Sequence, residues 1–162
     1  MSSTLLFAQF THARNSLLKN IESVTEAEAD HQPEGFNNTI RWNIGHILTV
    51  DEQFMFGFPN RTQHLPANYK QLFGNGTKPF EWTEEPPSLD TLKVQLQDQA
   101  DRITSTYEGR LDENLPKPVT LGSGRQYHTY GELFALGIYH EASHTGIVQA
   151  LKKIVANELQ TK

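Results

Sequence analysis

The stretch YHEASHTG at 139–146 places His140, Glu141 and His144 in the pattern H-E-x-x-H. Residues four apart on a helix lie one above the other, so both imidazoles can reach one cation. In zinc peptidases the intervening glutamate acts as general base. A catalytic zinc usually has three protein ligands and an open position, and in that class the third ligand follows the motif. Here 18 residues follow His144, the only acidic one among them is Glu158, and TGIVQALKKI contains no H-x-x-G-x-x-H continuation. A peptidase is not expected, and a third ligand has to come from upstream.

Five other histidines are available: His12, His31, His46, His64 and His128. His12 falls beside the apolar stripe of its helix and reads as solvated. His31 and His64 stand in loops near prolines and polar residues and read as surface. His128 precedes the last helix closely enough to line a cavity mouth. His46, in WNIGHIL, belongs to a different long helix and can reach inward, with Gly45 beside it leaving room for a backbone or a ligand to approach. His46 is the preferred third ligand and His128 the second choice.

The elements that must carry these residues follow from apolar spacing. Leu6, Phe10, Ala13, Leu17, Ile21 and Val24 recur at helical intervals within 4–24. TEAE at 25–28 resembles a capping box opening a short extra turn. A second helix starts at Asn38 or Thr39 and runs to about Phe58, where Pro59 stops it, with Ile40, Ile44, Ile47, Leu48, Val50, Phe54 and Phe58 on one side. Residues 59–87 are rich in proline and glycine and read as irregular chain. A joint that long needs a reason, and crossing the length of a bundle so that helices two and three run parallel would be one. Ser88 caps a third helix with Leu89, Leu92, Leu96, Ile103 and Tyr107, ended by Gly109. Residues 119–121 and 126–130 could pair across GSG as a small hairpin. Thr129 and Glu132 form a capping box for the fourth helix, which continues to about Asn157.

On that last helix, with Leu133 set at zero, Gly137 falls near ~40°, His140 near ~340°, His144 near ~20° and Val148 near ~60°. This places both histidines on the apolar stripe, facing inward, where an imidazole is costly unless it is hydrogen-bonded or bound to something. Two satisfied core histidines or a metal pair both answer that requirement. Glu141, near ~80° on the flank, could orient a ligating imidazole, face solvent or pair with another helix. Trp42, Tyr127 and Tyr139 could wall a pocket or simply pack. Asp51 and Glu52 read as solvated, with contact to a metal through water as the alternative.

With 162 residues and no cysteine, the chain is expected to be one domain spanning 1–162, free of disulfides and thiolate metal sites, which suits a reducing compartment. No apolar run approaches the roughly 20 residues of a membrane span, and the N-terminus lacks the features of a secretory signal. The expected setting is cytoplasmic. The formal net charge is −5, and the 14 Lys and Arg are scattered. Nucleic acid, which selects clustered cations, is not an expected partner.

TIRWNIGHILTVDE at 39–52 followed by YHEASHTGIVQALKK at 139–153 resembles the DinB-like (YfiT-like) family of bacterial damage-inducible proteins. The resemblance covers nearly the whole chain. It implies an all-α, up-down-down-up four-helix bundle with a long crossover between helices 2 and 3 and a small β-hairpin before helix 4. It also implies a divalent metal held by His46, His140 and His144, and a homodimer. Related proteins include transferases that use low-molecular-weight thiols, so a metal-dependent transfer of a thiol to a small electrophile, or a related hydrolysis, is the implied activity. A non-enzymatic metal-binding stress-response dimer is the alternative. Three neutral imidazoles suit Zn2+ best, with Ni2+, Fe2+ or Mn2+ compatible.

Overall fold

The computed structural model describes residues 2–57, 64–122 and 124–160. Phe58, Pro59 and the central Ser123 of the GSG turn lie outside them. The described chain is mostly helical: α1 Ser3–Ile21, α2 Glu26–Asp30, α3 Ile40–Phe56, α4 Tyr69–Phe73, α5 Leu89–Tyr107 and α6 Tyr130–Gln160. A two-stranded antiparallel sheet, β1 Asn114–Thr120 and β2 Gln126–Thr129, precedes α6.

The capping chemistry read from sequence sets the starts of these helices. Thr25 and Glu28 form both bonds of a capping box at α2, while Thr39 and Ser88 side chains accept from the first-turn amides of Trp42 and Thr91. At α6 the Thr129 hydroxyl accepts from Glu132 N–H, and the Glu132 carboxylate accepts from Thr129 N–H. Each bond satisfies a backbone donor that the helix itself leaves open. Gly109, at φ 77, follows α5 in the left-handed region that favours glycine.

Two expectations change. The joint expected to be irregular holds α4 and a 3-10 turn at Pro79–Glu81. Tyr69, Leu72 and Phe73 of α4 are buried, so this five-residue helix owes its existence to packing on α3 rather than to length. The first strand starts at Asn114 rather than Val119. Pro116 and Pro118 lack ladder donors, which hid the strand in the sequence. The register shifts between the Asn114–Thr129 and Val119–Tyr127 pairs.

Each of α1 and α3 packs on both α5 and α6. The apolar core forms two clusters. One gathers Leu17, Ile21, Ile44, Ile47, Leu92, Leu96, Val148 and Leu151; the other gathers Phe10, Met55, Ile103, Tyr107, Leu133 and Phe134. On every one of these four helices the residues between the two clusters include a buried polar side chain: Arg14 on α1, Asp51 and Glu52 on α3, Gln99 on α5, Glu141 on α6.

Candidate metal centre

His46 comes from the middle of α3, and His140 and His144 from successive turns of α6. One imidazole nitrogen from each lies within 4.8 Å of the other two. His46 is buried and the other two are half-buried. Sequence spacing on one helix and one residue on another thus meet as expected.

The surroundings settle which nitrogens face the shared space. His46 Nδ1 lies 2.7 Å from the Phe73 carbonyl. A carbonyl only accepts, so Nδ1 carries the proton and Nε2 keeps its lone pair. That carbonyl is free because α4 ends at Phe73, and the carbonyls of a helix's last turn have no partner within it. Gly45 makes the approach possible. The Phe73 ring occupies the place of a Gly45 side chain, with ring atoms 2.4 to 2.5 Å from where a Cβ would stand. The expected close approach at Gly45 is real, and its agent is a side chain of the long joint.

His144 is held by the same logic. Its Nδ1 lies 2.8 Å from Asn43 Oδ1, and Asn43 Nδ2 donates to the Thr39 carbonyl at 2.8 Å, which fixes the amide so that its oxygen faces the ring. His144 Nδ1 therefore carries the proton, and Nε2 is a free donor to a cation. His140 differs. Its Nε2 lies 3.1 Å from His46 Nε2, while its Nδ1 is buried with no hydrogen-bond partner. A proton on His140 Nε2 could bridge the two rings, leaving a buried lone pair unmatched. A shared cation would instead use both Nε2 lone pairs. Two ligands ~2.0–2.1 Å from one tetrahedral ion stand ~3.3 Å apart, close to the observed spacing. The donor set and the two fixed tautomers fit a divalent ion, while His140 Nδ1 is without a partner in either arrangement.

Electrostatics keeps the three rings neutral, the state that ligation needs. Burial lowers the pKa of His46 against the opposing Phe73 bond. His140 is lowered to about 3 by burial and by the neighbouring His144 and His46, and His144 to about 4 by burial and His46.

Of the three aromatic residues expected near the site, Trp42 does wall it, stacked on His46 at 4.4 Å with its indole N–H donated to Thr77 Oγ1. Tyr139 is 71% exposed. Tyr127 packs in the cluster around Phe134, away from the histidines. His128 is exposed on β2 and lies outside the three-histidine cluster, and His12 and His64 are also exposed. His31, expected at the surface, is half-buried and pairs with Glu158 at 2.7 Å.

The carboxylates required a larger correction. Asp51 and Glu52, expected to be solvated, are buried. Glu52 pairs with Arg102 through two bonds and accepts from Gln99. Glu141 is wholly buried, and of its three readings, pairing with another helix is the one observed: Arg14 Nε donates to Oε1 at 2.7 Å and Nη2 to Oε2 at 3.2 Å. The buried arc of α6 also takes in Tyr130, Phe134 and Thr145. Its centre therefore lies at ~60° rather than zero, and the histidines sit on its edge, facing α3. A charged residue marks the helix flank in a sequence only when nothing in the core neutralises it. Arg14, a partner 127 positions away, gives no local signal. Asn43 and Phe73 were missed for a similar reason: a backbone carbonyl has no residue type, and the amide reads as part of a helix.

The sequence profile of the DinB superfamily matches residues 9–148. The chain belongs to the DinB superfamily. No curated protein matches the chain.

Proposed function

We propose that the chain is a single-domain metalloprotein in which His46, His140 and His144 hold one divalent ion, Zn2+ by preference, and that it transfers an external thiol to a small electrophile. The observation that carries this reading is the pair of hydrogen bonds from His46 and His144 Nδ1, which turn two lone pairs toward His140. A divalent ion there would supply Lewis acidity, lowering the pKa of a thiol or water bound at an open position. The protein's part is to keep three imidazoles neutral, fix two tautomers and wall one side with Trp42.

The carboxylates favour thiol transfer over hydrolysis within this reading. Asp51, Glu52 and Glu141, the acids nearest the histidines in sequence, are bonded into the core by Arg14, Gln99 and Arg102. None is a free general base, and a thiol, being more acidic than water, has less need of one. The lack of a free general base also suits a metal-binding protein without turnover, the second reading, for which a stress-response homodimer is the proposed form.

The proposed arrangement is an up-down-down-up bundle with the joint after α3 crossing its length. Phe7–Phe134 and Asn20–Lys152 contacts support parallel α1 and α6; Leu48–Gln99 and Met55–Tyr107 support parallel α3 and α5; Asn43–His144 and Asp51–Gly137 support antiparallel α3 and α6. No helix among the described residues is long and apolar enough to cross a membrane, which agrees with a cytoplasmic setting.

A panel of small thiols with halide, epoxide and unsaturated carbonyl acceptors tests the activity. Turnover that is lost on chelation, restored by Zn2+ and lost in His144→Ala is expected. Stoichiometric metal uptake with no turnover across the panel would favour the second reading.

A further inference from the structure

We infer that the buried polar layer around Arg14 is a positioning device that sets the axial register of α3 against α6 and so brings His46 to His140 and His144. The inference rests on the three-histidine reading for its functional consequence and on geometry for its structural one.

A site divided between helices needs its donors held to within about 0.5 Å. Apolar stripes alone specify axial position loosely, since one branched side chain fits nearly as well as its neighbour a turn away. Here the two apolar clusters are separated by one polar level on all four long helices. Arg14 occupies its centre. From α1 it reaches Glu141 on α6 through two bonds, Asp51 Oδ2 on α3 at 3.1 Å, and on α5 both Gln99 Oε1 at 3.2 Å and the Leu96 carbonyl. One planar guanidinium therefore ties its helix to three others. Sliding any of these helices by a turn would push a charge or an amide into an apolar layer and leave its partners unpaired.

The layer adjoins the histidines along the chain. Glu141 follows His140 directly, and Asp51 is five residues after His46. Gly137, one turn before His140, lacks a Cβ where Asp51 Oδ1 would stand 3.1 Å away, so the carboxyl enters the α3–α6 seam at this point. Burial and the nearby Glu141 raise the Asp51 carboxyl well above its ordinary range. That shift toward the neutral acid eases the sharing of one arginine between two acidic side chains. These residues touch no site nitrogen, so they act through helix position.

The test separates register from stability. Replacing a buried ion cluster by apolar residues of similar size often leaves a protein as stable or more so. The variant Arg14→Met/Asp51→Leu/Glu141→Leu is expected to keep its helicity and melting temperature. Its Zn2+ affinity, read by competition with a chromophoric chelator, is expected to fall 10- to 100-fold, the loss typical of residues that orient ligands from outside. Spin labels at Gln53→Cys and Gln149→Cys, exposed positions on α3 and α6 in a chain with no other cysteine, report register without metal. Their narrow distance distribution is expected to broaden or shift. Arg14→Lys keeps the charge but loses the fork and serves if the apolar variant does not fold; it is expected to broaden the same distribution. Unchanged distances in either folded variant, or wild-type metal affinity in it, would overturn the inference. If the wild-type protein takes up no Zn2+, the metal reading fails separately and the distances still decide the register.

Discussion

Gly45→Ala sets two effects of known sign against each other. An alanine inside a helix is favoured over glycine by about 0.5–1 kcal/mol. Position 45 is interior to α3 and buried, so on propensity alone the variant should melt higher. The new Cβ, however, would stand 2.4 to 2.5 Å from three atoms of the Phe73 ring. That ring is fully buried and packed edge-on against Tyr69 at 5.3 Å and Trp82 at 5.6 Å, so it cannot simply swing aside. Overpacking of this kind costs about 1–3 kcal/mol. The net loss is then up to about 2.5 kcal/mol, and at about 2–4 °C per kcal/mol for a chain of this size the melting temperature falls by up to about 10 °C. The displaced ring carries its own carbonyl with it, loosening the 2.7 Å bond that fixes His46. Metal affinity should drop about 10- to 100-fold. Calorimetry in chelator reads the first effect and competitive Zn2+ titration the second. A variant that melts higher than wild type and binds Zn2+ equally well would refute the reasoning. A lower melting temperature with unchanged affinity would break the link between α4 and the site.

Asn43→Leu removes the acceptor that sets the His144 tautomer; Zn2+ affinity should fall about 10- to 100-fold, and unchanged affinity by titration would show that Asn43 plays no orienting part. The metal-free protein should lose stability as pH falls below about 6.5, because the unfolded chain then binds protons that His140 (about 3) and His144 (about 4) resist in the fold. Their contribution is fully present above about 6.5 and is lost toward pH 3 to 4. The raised Asp51 has the opposite sign, its contribution being lost as pH rises through its folded pKa. Urea unfolding should therefore be compared with His140→Leu/His144→Leu. Wild type should weaken relative to that variant between pH 6.5 and 4, and parallel profiles would contradict the assigned shifts.

Helix starts were legible because Thr25, Thr39, Ser88 and Thr129 cap through local bonds that leave a short-range pattern. His46, His140 and His144 were legible because two share a helical spacing and the third is an inward residue on another long helix. What stayed hidden is non-local. The burial of Glu141 and Asp51 depends on Arg14, and the α4 turn depends on a groove at Gly45. The prolines of β1 concealed a strand whose ladder shifts around them.

Zinc uptake by the purified protein, measured by elemental analysis and by titration after chelator treatment, bears most directly on the central claim. One equivalent per chain in wild type, with loss of that site in each of His46→Ala, His140→Ala and His144→Ala but not in His128→Ala, is the result expected. Wild-type protein that binds no Zn2+, or His144→Ala protein that binds it as tightly as wild type, would contradict a metal centre built from these three histidines.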